Sequence, residues 1–296
     1  MKRHALTLIG QHALSTMSAT WVICNLLVWL SLLILTLPAL LVLKPLGREQ
    51  ALEPWIGWIY RSAVRVDSIW MLRVVGIQLE VTGEVPSHPS PIVIVNHQSW
   101  FDIPIVQEVI SARGPRLSFL VKRSLVWVPV IGWICLLLGF PRLRRTGSPQ
   151  DRALDLNAVS RAAEQGVASR HALLIFAEGT RFTPKKRSGQ DSPFDHLLRP
   201  RVGGFAAACQ IFPEGTPIID LSIYYDGGSH FWRCLGGATK VIRVDISTHS
   251  LDQMMSAEAF LNERWRAKDG WLQSKGKTRS DQALSLIHIS EPTRPY

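Results

Sequence analysis

His97 and Asp102 stand five residues apart in Asn96-His97-Gln98-Ser99-Trp100-Phe101-Asp102, and the pair has the makings of a general base. A carboxylate on one imidazole nitrogen fixes the tautomer and stabilises the imidazolium, which frees the other nitrogen to take a proton from a hydroxyl. The plainer reading makes Asn96 a helix cap, His97 a first-turn residue and Asp102 a solvated charge, and on these residues alone both readings stand. A second polar set is Glu178-Gly179-Thr180-Arg181. Its glycine lets backbone turn close to a ligand, Thr180 and backbone N–H groups can donate, and Arg181 can clasp a phosphate through two bonds. A third set, Arg142, Arg144 and Arg145, follows abruptly on an uncharged run, a juxtaposition of hydrocarbon and cation that suits a lipid phosphate.

These groups need elements to hold them. Pro91 to Val95 is short, apolar and rich in β-branched residues, so it reads as a strand buried on both faces that delivers His97 to the end of a sheet. Asn96 suits the cap of a helix that follows. Further strands are expected at 74–80, 117–121, 173–176, 218–224 and 241–246, and helices at 103–111, 151–169 and 256–272. Strands separated by helices predict an α/β domain with a mainly parallel sheet flanked by helices, which places ligands at the carboxyl ends of strands. Both His97 and the 178–181 turn fall at such ends. Residues 183–187 read as a solvated basic loop. Residues 199–205 suit phosphate at the start of a helix, with a plain glycine turn at Gly203 and Gly204 as the alternative.

Hydrophobic residues make up 47% of the 296, and the formal net charge is +10. The apolar excess exceeds what one core absorbs, and the charge implies an anionic partner; together they favour lipid over nucleic acid. Cys24, Cys135, Cys209 and Cys234 show neither a CxxC pair nor zinc-ligand spacing and read as buried or membrane-embedded thiols.

Residues 16–43 carry no charge, and residues 21–43 would span roughly 35 Å as a helix, enough for a hydrocarbon core of about 30 Å. Residues 1–47 are therefore expected to anchor the chain to a membrane, by a spanning or, given Pro38, a re-entrant helix; a signal peptide fits less well. Residues 48–280 form the expected catalytic domain. Within it, 49–73 reads equally as a helix on a bilayer surface or on the domain core, and the broken apolar run 124–141 reads as an element dipping into one leaflet or the wall of an acyl-chain site, with a buried core helix as the plainer alternative. Residues from 284 resemble a translated sequencing adapter, so an unstructured tail is expected over 281–296, with the natural C-terminus missing.

The two motifs His97-x4-Asp102 and Glu178-Gly179-Thr180-Arg181, each after a strand, resemble the first and third motifs of the PlsC-like glycerolipid acyltransferases related to 1-acylglycerol-3-phosphate acyltransferase. The likeness runs from about residue 74 to 246, and its details look most like the YihG branch of bacterial members. It implies that His97 is the base with Asp102 behind it. It also implies that Glu178, Gly179, Thr180 and Arg181 bind the acceptor's phosphate together with Arg145 or Arg144, either of which fits the second motif. The fourth motif usually carries two prolines, whereas Pro217-Ile218-Ile219-Asp220 keeps one.

The expectation is thus a membrane-bound enzyme that needs no cofactor or metal. It would move an acyl group from acyl-CoA or acyl carrier protein to a lysophospholipid, foremost lysophosphatidic acid, at the cytoplasmic side of a bacterial inner membrane. Its partners would be membrane phospholipids and these substrates. The rivals are a metal-dependent hydrolase, which needs further ligands, and a non-catalytic binder of anionic lipid.

Overall fold

The computed structural model describes residues 2–111, 114–146, 148–254 and 256–289. Its strands are β1 (Gln78–Thr82), β2 (Ile92–Val95), β3 (Leu117–Phe119), β4 (Val121–Lys122), β5 (Arg142–Leu143), β6 (Ala172–Phe176), β7 (Pro217–Asp226) and β8 (Val241–Ser250). The α-helices are α1 (Lys2–Leu35), α2 (Leu37–Leu43), α3 (Glu53–Ile69), α4 (Asp102–Val106), α5 (Ile131–Leu137), α6 (Pro149–Ser169), α7 (Pro184–Gly189), α8 (Val202–Cys209), α9 (Phe231–Leu235) and α10 (Ala257–Ile289). Six strands form one sheet in the order β1-β8-β7-β2-β6-β3, parallel except between β7 and β8.

The period of two in a strand explains why β2 has no polar residue. Val93 and Val95 enter a core layer with Ile59 and Val64 of α3 and Ile105 of α4. Ile92 and Ile94 enter the opposite layer with Val159 of α6, Phe205 of α8 and Trp265 of α10. All four are fully buried, so the central strand is covered on both sides, as a mainly parallel sheet requires.

Several boundaries differ from expectation for local reasons. The strand expected at 74–80 starts later, because Trp70–Val74 prolongs α3 as a π turn before β1 begins at Gln78. The run 117–121 divides at Leu120: β3 joins the main sheet, while β4 pairs with β5 in a separate two-stranded ladder. The expected tail from 281 is helical in its backbone as far as Ile289, since nothing before Pro292 removes a backbone donor; residues 290–296 lie outside the described residues. Gly203 and Gly204 are not a turn. They lie within α8, where a β-carbon on Gly203 would stand 3.4 Å from Leu156 of α6, so their lack of side chains brings the two helices together.

Thr7–Leu46 is long and apolar enough to cross a membrane. Its first helix is packed along the domain with Ser15, Ser18 and Asn25 turned inward. Ser15 donates to Trp232 O (2.8 Å), Ser18 to Leu235 O (2.9 Å) and Asn25 to Ala63 O (3.0 Å). Ile9, Ile23, Val28 and Leu35 face outward and are exposed. Polar groups of this helix thus find partners against the domain while large apolar ones are left on its outer side. Of the two readings for 49–73, α3 shows the packing on the domain core. Ile59, Tyr60 and Val64 enter the core, while Trp55 and Trp58, stacked at 5.0 Å, stay exposed at its start. In 124–141, Trp127, Val128, Ile131, Trp133 and Leu136 are all exposed.

Candidate active site

Two neighbouring parallel strands bring the motifs together. The β2–β6 register pairs Val95 with Phe176, so both chains leave the sheet at the same end and the loops after them lie side by side. They are joined there: His97 N–H donates to Glu178 Oε1 (2.9 Å), and Phe182 N–H donates to His97 O (2.7 Å).

His97 Nδ1 lies 2.8 Å from Asp102 Oδ2, and the imidazole stacks on Phe176 at 4.1 Å. Its Nε2 has no hydrogen-bond partner among the described residues, and 12% of the side chain is open to solvent. Asp102 is wholly buried. Its Oδ2 also accepts Gln98 N–H (2.7 Å) and Ser99 N–H (2.9 Å), and its Oδ1 accepts the Tyr225 hydroxyl (2.5 Å). A carboxyl group with four donors is fixed in place, and a ring held between it and Phe176 presents one free nitrogen. That is the arrangement of a general base.

Asn96 is not the helix cap it was expected to be. α4 begins only at Asp102, and Asn96 instead exchanges two bonds with the Ile223 backbone, donating to its carbonyl (3.0 Å) and accepting its N–H (2.8 Å). β2 has ended at Val95, and the amide side chain continues its ladder with β7 for one more step. His97 therefore sits in a braced loop rather than in a first helical turn.

Glu178 also departs from the role the family likeness implied. It is fully buried, and its two oxygens accept the N–H groups of His97 and Leu198, both at 2.9 Å. With both oxygens turned to backbone, it braces the site. Burial pushes its carboxyl up to about 8, against the pull of those two donors.

The remaining residues of the turn do form a cationic cradle. Gly179 has φ +69°, and a β-carbon there would lie 3.0 Å from Arg201 Cδ, so the Arg201 side chain packs directly on the turn. Arg145 donates to Gly179 O (2.7 Å) and Leu120 O (3.0 Å). Burial, then the neighbouring Arg201, depresses the Arg145 guanidinium. The Lys186 ammonium donates to Thr180 Oγ1 (2.7 Å) and Arg181 O (3.0 Å), and it is depressed by partial burial and by Arg181. The Arg181 guanidinium lies 4.7 Å over the exposed Trp100 ring. Four cations gathered around one turn can offer their charge to an anion.

Backbone shape sends Arg144 and Arg145 in different directions. Asp155 accepts the N–H groups of both (2.6 and 2.9 Å) and holds Arg145 at φ +55°, a conformation that costs a non-glycine residue about 1–3 kcal/mol. Arg145 then reaches the turn, whereas Arg144 reaches Asp151 (2.9 Å) and is not part of the cradle.

Sequence reasoning missed Tyr225 and undervalued Lys186, which it took for part of a solvated loop. The signal for Tyr225 was its place in the alternation Ile219, Leu221, Ile223, Tyr225, all on one buried face of β7. Lys186 carried no signal, because its role comes from α7 folding back onto the turn.

Comparison with known proteins agrees with this geometry. Residues 78–226 match the family model described as Acyltransferase. An uncharacterized acyltransferase, C1851.02, of Schizosaccharomyces pombe is 32% identical over 136 residues, 46% of this chain and 42% of the relative. The 1-acyl-sn-glycerol-3-phosphate acyltransferase of Saccharomyces cerevisiae is 33% identical over 112 residues, 38% of this chain and 35% of the relative. That of Pseudomonas aeruginosa is 29% identical over 207 residues, 68% and 71%. The matches to the two fungal relatives thus cover less than half of either. The crystal structure of PlsC, the 1-acyl-sn-glycerophosphate (LPA) acyltransferase of Thermotoga maritima, shares the fold with a TM-score of 0.51 at 17% identity, covering 85% of this chain and 95% of that one. Both motif loops, the His97–Asp102 pair and the cations of the cradle, Arg145, Arg181, Lys186 and Arg201, all fall inside the matched residues 78–226, and the chain belongs to the acyltransferase family.

Proposed function

We propose that this chain transfers a fatty acyl group from a thioester, acyl-CoA or acyl carrier protein, to the free hydroxyl of a lysophospholipid, 1-acyl-sn-glycerol 3-phosphate above others. The observation that carries the reading is a free imidazole nitrogen beside an anion cradle: His97 Nε2 faces open space while Arg145, Arg181, Lys186 and Arg201 surround the adjacent turn. A phosphate held in the cradle brings the acceptor's glycerol hydroxyl towards the imidazole. The hydroxyl oxygen attacks the thioester carbonyl as Nε2 takes its proton, which forms the C–O bond. The C–S bond then breaks, and the imidazolium returns the proton to the departing sulfur. Proton transfer of this kind contributes typically 10² to 10⁴ in rate.

The N–H groups of Thr180 and Arg181 have no partner among the described residues and are available to the anion. The exposed apolar faces of α1 and of residues 127–136 support a position at a membrane, where both acyl chains stay in hydrocarbon. In a bacterium that would be the inner membrane, with the domain on the cytoplasmic side. A metal-dependent hydrolase would need more ligands than His97 and Asp102, and no group of three or more His, Cys, Asp or Glu among the described residues is arranged to hold a metal.

The test is the purified full chain with labelled acyl-CoA and a panel of lysophospholipids. Transfer should be fastest to the phosphate monoester, and His97→Ala should lower turnover by a factor of about 10² to 10⁴ while the protein still binds vesicles. Near-normal transfer by a folded His97→Ala protein would end the proposal, and so would thioester loss to water that ignores the acceptor.

A further inference from the structure

A second basic site lies apart from the cradle. Arg123, Arg142, Arg144 and Arg161 line a groove of about 270 Å³ between the β4–β5 ladder and α6, with Leu154, Ala158 and Asp155 in its wall. Leu154, Ala158 and Arg161 share one face of α6 by their spacing. Arg144 is paired with Asp151, and Asp155 is occupied by two backbone N–H groups. The side chains of Arg123, Arg142 and Arg161 are exposed and make no hydrogen bond or ion pair among the described residues. Four guanidinium groups against the carboxylates of Asp151 and Asp155 leave an excess of positive charge, and an anion among them relieves the repulsion. Guanidinium groups converging on one space suit a phosphate, which each can meet through two parallel bonds.

The position of the groove says which phosphate. The chain between Arg123 and Arg142 is the apolar excursion that holds Trp127, 85% exposed, with Val128, Ile131, Trp133 and Leu136 also exposed. Pairing of Val121 with Arg142 and Lys122 with Leu143 closes this excursion at its base, so it leaves and returns at the edge of the groove. An apolar tip with indoles enters a bilayer interface, and arginines at its foot then stand at the depth of the headgroups. A soluble phosphate compound would need the cations but not the apolar tip beside them.

We propose that this groove holds the phosphate headgroup of an anionic bilayer phospholipid, at a site separate from the cradle beside His97. The lipid would be bound as part of the surrounding membrane, with its chains alongside Trp127 and Trp133, and would set how the domain sits on the bilayer.

The experiment uses the full chain in detergent, titrated with short-chain phosphatidylglycerol or phosphatidylcholine, with bound lipid counted by native mass spectrometry. Phosphatidylglycerol should bind in preference. The Arg123→Gln, Arg142→Gln, Arg161→Gln triple variant should bind it more weakly by a factor on the order of a hundred, the sum expected for three basic side chains near an anionic lipid. The corresponding triple lysine variant keeps the charge and should keep most of the binding. Melting temperatures of both variants should match the wild type, because the three guanidinium groups have no internal partners. Unchanged phosphatidylglycerol binding by the glutamine variant would overturn the proposal. Displacement of the lipid by coenzyme A would also overturn it, by assigning the groove to a soluble phosphate donor. No acyl transfer is measured, so either outcome leaves the reading of His97 to stand or fall separately.

Discussion

Asp102 offers the most exacting test, because the structure separates its two tasks. As a buried acceptor it satisfies four donors, from His97, Gln98, Ser99 and Tyr225. As a charge it stabilises the imidazolium that forms when His97 takes the acceptor's proton. Alanine removes both at once. Each stranded buried donor costs about 1–3 kcal/mol, so four would cost roughly 4–12 kcal/mol, comparable with the entire stability of a typical domain. Asp102→Ala would fail to fold and decide nothing. Asparagine divides the tasks: its carbonyl oxygen can take the place of Oδ2 and accept the same three N–H groups, while its NH2 meets the Tyr225 hydroxyl, which can turn to accept. Only the charge is lost. Asp102→Asn should therefore melt within a few degrees of the wild type, yet lose a factor of about 10² to 10⁴ in kcat, or roughly 3–5 kcal/mol of barrier. The assay is release of thiol from acyl-CoA, followed with a chromogenic disulfide at saturating lysophospholipid, beside a thermal melt. A folded Asp102→Asn protein with kcat within threefold of the wild type would refute the assignment of His97 and Asp102 as a base and its supporting charge.

Three further outcomes follow from the same geometry. Tyr225→Phe removes one donor to Asp102 without touching substrate, so kcat should fall by about tenfold, the worth of one buried charge-assisted bond, with the Michaelis constants unchanged; an unaltered kcat would remove Tyr225 from the positioning set. Arg145→Ala should raise the Michaelis constant for a phosphate-bearing acceptor at least tenfold, whereas Arg144→Ala should leave it near normal, and the reverse order would contradict the backbone argument at φ +55°. Glu178 binds its proton more tightly folded, near 8, than unfolded, near 4.5, so the stability it contributes is full below about pH 4.5 and is lost as the pH rises through about 8. The melting temperature of Glu178→Gln should accordingly decline less between pH 5 and 8.5 than that of the wild type, and equal slopes would sink this account.

The sheet was legible in the sequence because its signals are local. Ile92 to Val95 can only be a strand covered on both faces, and the strand–helix alternation after it dictates a mainly parallel sheet. Glycine and charge at the ends of two such strands mark where ligands go, so His97, Asp102 and Arg181 were found without coordinates. That residues 16–43 are long and apolar enough to cross a membrane was equally plain from the absence of charge. Asn96 and Glu178 were misjudged because local chemistry allows each a cap or a ligand contact, and only the neighbouring chain shows otherwise. Asn96 meets Ile223 and Glu178 meets Leu198, partners that propensity and spacing cannot supply. Arg144 and Arg145 are equivalent as letters, and it is Asp155, on another element, that turns one inward and leaves the other outside. A single chain therefore determines its periodicities, its charges and which residues stand at strand ends. Which of those residues share a hydrogen bond depends on register and on loops crossing at the sheet edge, and those are decided only when distant segments pack.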